Sequence, residues 1–99
     1  MSLLMKQADI VSENNILFIR GKIDFFNVMS VYQESLAFLK DHSPCTIDFS
    51  RLLEVNSAGI ALIIEWIKYS KAEDKPIVFQ GIPQDLIALA KAANIDSLF

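Results

Sequence analysis

Cysteine, histidine and glycine, the residues most site chemistry is built from, are scarce in this chain. Its 99 residues include one cysteine, Cys45, one histidine, His42, and three glycines. A single cysteine excludes an internal disulfide and a multi-cysteine metal site. The glycines stand isolated at positions 21, 59 and 81, so the sequence has no glycine-rich phosphate loop. His42 lies in the polar turn His42-Ser43-Pro44, where an imidazole is usually just solvated. Cys45 opens an apolar stretch, where cysteine acts as a small hydrophobe, and its use as a nucleophile would require the fold to bring His42 to it. Asp48 has no second acid at metal-ligand spacing and reads as a strand-end hydrogen-bond acceptor. Catalysis is not expected, and neither a metal nor a cofactor is.

Positive charge and long apolar runs are scarce too. Nine Lys and Arg face twelve Asp and Glu, for a net charge of −3. Nucleic acid and anionic membranes both select clustered basic residues, so neither is expected as the main partner. The run Ile60 to Ile64 is far too short to span a bilayer, so no direct membrane insertion is expected. The start MSLLMKQADIV has no basic segment ahead of a long apolar core, and a cytoplasmic location follows as an expectation.

Apolar residues, at 53% against 21% charged, are plentiful enough for a folded core. At this length one domain over residues 1–99 is expected. Ile10-Val11 and Ile16 to Ile19 read as strands around the turn Glu13-Asn14-Asn15, a hairpin. Gly21 ends the second strand, and Asp24 is placed to cap a helix in which Val28, Tyr32, Leu36 and Leu39 recur at helical spacing. After the His42-Ser43-Pro44 break, Cys45 to Phe49 reads as an interior strand. A second helix is predicted from Ser57 to about Ala72. A third strand-and-helix unit follows, Ile77 to Phe79 and then a helix opened by Pro83. That last helix is expected to bury Leu86, Leu89, Ala90 and Ala93 and to stop at Asn94. The order is β-β-α-β-α-β-α, an α/β fold with right-handed crossovers between parallel strands.

The stretch VNSAGIALIIEWI concentrates the functional questions. Asn56 is a good N-cap, which would put Ser57 at the first helical position beside the positive end of the helix dipole. On a helical wheel, Ile60, Ile63, Ile64 and Ile67 make a natural core stripe. Ser57, Ala61, Glu65 and Lys68 fall opposite. Ala58, Leu62, Trp66 and Tyr69 form a second apolar flank, which either packs on a neighbouring helix or stays partly exposed as a protein contact. Ser57 is open to two readings, plain capping or a hydroxyl that a partner or a kinase can reach.

Three motifs in order give the pattern a family. Gly21-Lys22-Ile23-Asp24, then Asp48-Phe49-Ser50, then Asn56-Ser57-Ala58-Gly59 resemble the G-x-[LI]-D, D-[LF]-S and D-[ST]-x-G segments of STAS domains, over about residues 8 to 98. The resemblance implies a mixed sheet of about four strands with helices packed on one side, and a non-catalytic partner protein. One branch of the family is similar to anti-sigma factor antagonists, whose hydroxyl at the Ser57 position is phosphorylated by a kinase-like anti-sigma factor. The other comprises STAS subunits of Mla-type phospholipid-transport ABC complexes, which bind the cytoplasmic ATPase at the inner membrane. Phe79-Gln80-Gly81-Ile82, Leu89-Ala90-Lys91 and Asn94-Ile95 look closer to the transport branch. Asn56 replaces the acid usual before the hydroxyl, which removes a charge associated with kinase recognition in the first branch. The resemblance implies a partner-binding surface of Ser57, Ala58, Ala61, Leu62, Glu65 and Lys68, with Ser57 as the phosphorylation site in the alternative.

Overall fold

The computed structural model describes residues 8–95. The chain runs β1 (Ala8–Glu13), β2 (Ile16–Ile23), α1 (Val28–Asp41), β3 (Cys45–Asp48), β4 (Leu52–Val55), α2 (Ala58–Glu73), β5 (Ile77–Gln80) and α3 (Gln84–Ala92). β1 and β2 form the predicted antiparallel hairpin, closed by Asn14 and Asn15, both at positive φ. Two consecutive left-handed residues make the tight turn whose twist suits a hairpin, and asparagine tolerates that conformation well.

The sheet has five strands rather than about four. β2, β3 and β5 pair in parallel in the order β2-β3-β5, and β4 pairs in parallel with the second half of β2. β4 was not predicted. It is a four-residue segment, Leu52-Leu53-Glu54-Val55, without alternating polarity, and its pairing to β2 shifts register between Gly21 and Lys22. Only long-range pairing makes it a strand.

Strand alternation sorts the two faces. Leu17, Ile19 and Ile23 of β2, with Cys45 and Ile47 of β3, point into a core shared with Val31, Leu39, Leu62, Ile63 and Trp66 of the helices. Phe18, Arg20 and Lys22 turn to the opposite face, where the Arg51 guanidinium lies 3.6 Å over the Phe18 ring. The helices thus cover one side, as expected.

α2 is rotated from its predicted orientation. Ala58, Gly59, Leu62, Ile63 and Trp66 are buried, while Ile60, Ile64 and Ile67 are only half-buried. The reason is aromatic. Trp66 packs edge-on to Phe49 and tilted on Phe79, and its indole N–H donates to Ser35 Oγ of α1 at 2.8 Å. A ring of that area draws its own flank inward, and the isoleucine line moves to the side. Trp66 therefore packs within the domain.

The third helix departs in part. Leu86 and Ala90 are buried, but Leu89 and Ala93 are exposed, because only one narrow side of this short helix meets α2. Asn94 ends it as expected. It takes φ 59°, and the N–H groups of Asn94 and Ile95 donate to the carbonyls of Lys91 and Ala90. That is the Schellman pattern, with asparagine in the usual place of glycine.

Candidate partner interface

β4 delivers the chain to the start of α2 at the end of the sheet where its parallel strands finish. Asn56 caps the helix: its Oδ1 accepts the Ala58 N–H at 2.8 Å, and its carbonyl accepts the Gly59 N–H at 3.0 Å. Ser57 already has helical dihedrals, φ −63° and ψ −13°, and makes no side-chain capping bond. Because Asn56 satisfies the orphan donor, the Ser57 hydroxyl stands exposed without a capping duty.

From Ser57 the outer face continues through exposed Ala61 and Lys68 and half-buried Glu65, with Lys68 Nζ 3.2 Å from a Glu65 oxygen. Such a solvent-facing pair contributes little to stability. Ala58 and Leu62, expected on this surface, do not belong to it. They are 0% and 1% exposed, on the flank that the Trp66 packing turned inward. Gly59 is also internal. A Cβ there would lie 2.6 Å from Val55 Cγ2 and 3.1 Å from Leu86 Cδ1, so close packing of β4, α2 and α3 fixes the height at which Ser57 sits.

Asp24 behaves as a cap, one turn ahead of α1. Its Oδ1 accepts the N–H groups of Phe26 and Asn27 at 2.8 and 3.1 Å, and its own N–H donates to Asn27 Oδ1 at 3.0 Å. This reciprocal arrangement is a capping box with asparagine as its second member. The turn it fixes carries Phe25, Phe26 and Met29 into solvent, at 64%, 99% and 58% exposure. Sequence reasoning noted Met29 beside the helical stripe but passed over Phe25 and Phe26. The available signal was an adjacent Phe-Phe pair outside the helical stripe of Val28, Tyr32, Leu36 and Leu39.

The residues weighed for catalysis have structural occupations. His42 stacks on Phe38 with centroids 4.1 Å apart and donates from Nδ1 to the Phe38 carbonyl at 2.9 Å. Cys45 is buried, and burial pushes its thiol up, away from the reactive thiolate. Burial alone would raise the Asp48 carboxyl as well. Bonds from Ser50 Oγ, Gln80 Nε2 and the Ser50 N–H, with Arg51 nearby, outweigh that and hold it below the ordinary value. Among the described residues, no three His, Cys, Asp or Glu are grouped to hold a metal ion, and no helix is long and apolar enough to cross a membrane. A groove of about 350 Å³ lies beyond the C-terminal half of α2, lined by Ile67, Ser70, Lys71 and β5.

A parallel-centred sheet with helices on one side, a capped helix start and a free hydroxyl on it define the class as an STAS domain. The family model described as "Mlab, STAS domain" matches residues 7–99, and the chain belongs to that family. Among solved structures, it is similar to a chain of the Acinetobacter MlaFEDB complex in two ATP-bound conformations. In Vtrans1 the identity is 26% and the TM-score 0.68, over 83% of this chain and 87% of that one. In Vtrans2 the identity is again 26%, with a TM-score of 0.70 over 85% and 90%. The unphosphorylated anti-sigma factor antagonist SpoIIAA shares the fold, at 12% identity and a TM-score of 0.67 over 92% and 84%. Comparison with curated proteins gives no match.

Proposed function

We propose that the chain is a non-catalytic STAS subunit of an Mla-type phospholipid-transport ABC complex, a single domain that binds the ATPase and supports its assembly and activity. On this reading it is cytoplasmic and peripheral at the inner membrane through that complex. The observation that carries the proposal is the 26% identity, nearly end to end on both chains, to a chain of MlaFEDB. The geometry agrees. Ser57, Ala61, Glu65 and Lys68 offer a face of small groups inside a charge-balanced rim, and none of the four is needed by the core.

The test is binding of the purified chain to the ATPase. Ser57→Arg places a long cation on the exposed helix start and is expected to abolish binding while leaving the melting temperature unchanged. Full binding by that variant refutes this face as the interface.

A second reading, an anti-sigma factor antagonist switched by phosphorylation, draws on one specific observation: the Ser57 hydroxyl is exposed at a helix N-terminus, where added negative charge is tolerated. Intact-mass measurement of the native chain separates the two. A phosphorylated fraction, with a kinase-like anti-sigma factor as the bound partner, favours the switch.

A further inference from the structure

We infer that the turn Asp24–Asn27 is the anchoring half of the partner interface, with Phe25 and Phe26 seated in an apolar depression of the same ATPase subunit that covers Ser57. The inference rests on the transport reading above. Its starting observation is the exposure of Phe25, Phe26 and Met29, which share one short segment. Met29 follows the two rings in the first turn of α1. An apolar cluster of this kind in water marks a contact site.

The cluster is held in place. The capping box of Asp24 and Asn27 fixes the turn, and Asn27 Nδ2 ties it to the Lys22 carbonyl at 2.7 Å. A partner therefore meets a turn whose backbone is already set, and binding has only the side chains to order.

Topology places the turn beside Ser57. β2 and β4 are parallel neighbours, with Ile23 and Val55 as paired positions. The chain leaves both strands at the same end of the sheet. Phe25 comes two residues after Ile23, and Ser57 two residues after Val55. A partner surface of ordinary interface size laid over Ser57 covers both.

Charge selects the kind of partner. Lys22, on the strand entering the turn, is paired with Glu54 at 3.5 Å, and α1 carries no cation before Lys40. A membrane surface recruits aromatic tips through accompanying basic residues, and this tip has no such surplus. Exposed Phe and Met without a surplus of cations is the make-up of a protein interface core.

The test uses the full chain and the purified ATPase, with Phe25→Ser/Phe26→Ser, Phe26→Ser alone and Ser57→Arg as variants. Affinity, melting temperature and flotation with phosphatidylglycerol–phosphatidylethanolamine vesicles are measured. The double variant is expected to bind the ATPase at least about tenfold more weakly, the loss typical of removed aromatic anchors. Phe26→Ser, at a position with no packing to lose, is expected to reproduce most of that loss at an unchanged melting temperature. Wild-type-like affinity of Phe26→Ser and the double variant, beside a Ser57→Arg variant that has lost binding, overturns this inference and leaves the transport reading standing. A wild-type chain that does not bind the ATPase overturns both. Flotation that the double substitution abolishes, with ATPase affinity intact, assigns the tip to lipid and overturns the inference.

Discussion

Trp66 brings an indole N–H into an apolar layer, and Ser35 supplies the acceptor. Ser35 is itself fully buried, and its hydroxyl donates onward to the Tyr32 carbonyl, so one small side chain satisfies the indole and itself. Ser35→Ala improves local helix propensity by a few tenths of a kcal/mol but orphans the Trp66 N–H. The second effect is larger, since a buried unpaired donor costs about 1–3 kcal/mol. The expected outcome is a net loss of about 1–2 kcal/mol in urea unfolding, with no change in partner affinity. The sequence showed Trp66 and the flank it lies on, but not this bond. Its acceptor is 31 residues away, on a helix whose periodicity marks Val28 and Leu39 and says nothing about a serine between them.

Among the elements, α2 carries both the core and the exposed face, and its first turn decides how they relate. Gly59→Ala would ordinarily stabilise a helix by about 1 kcal/mol. Here the added methyl meets the stiff branch of Val55 and the tip of Leu86. Overpacking of this kind costs about 1–3 kcal/mol, so the substitution is expected to lower stability on balance. If Ser57 lies in the proposed interface, the substitution is also expected to weaken partner binding, because α2 must lift away from β4 and carry Ser57 with it. Thermal unfolding and a binding titration on one variant check both. The helix boundaries, Asn56 as cap and the exposed line Ser57–Ala61–Lys68 were legible from local rules, since capping and periodicity are short-range. Which apolar line faces inward was not. Isoleucines and a tryptophan compete for the core, and Phe49 and Phe79, from distant segments, decide in favour of the ring. β4 was hidden for the same reason, a strand only by its pairing to β2.

For the whole molecule, Asp48 ties the ends of β3 and β5 together. Its carboxylate receives the Ser50 N–H and hydroxyl at the β3–β4 turn and the Gln80 amide at the end of β5. Gly81 follows at φ 67°, in a position where a Cβ would lie 3.0 Å from the Ser50 nitrogen. The Asp48 carboxyl titrates below its ordinary value in the folded chain. It therefore adds stability above the unfolded pKa of about 4, and that contribution disappears as pH falls through the lower folded value. Asp48→Ala is expected to cost about 2–3 kcal/mol at pH 7, the scale of charge-assisted hydrogen bonds. It is also expected to flatten the acid limb of the melting-temperature profile below about pH 4, where the wild type declines. The D-F-S motif was visible in the sequence as a family mark. Its physical task, a clasp between two loops, depended on Gln80 arriving from 32 residues away.

The inward turn of α2 has an evolutionary consequence. With Ala58, Leu62 and Trp66 committed to the interior, Ser57, Ala61 and Lys68 are released from any structural obligation. Those positions can drift without endangering the fold, and so can Phe26 on the neighbouring turn. Duplicate copies of such a scaffold could therefore diverge along this edge to recognise separate partners while keeping one and the same core.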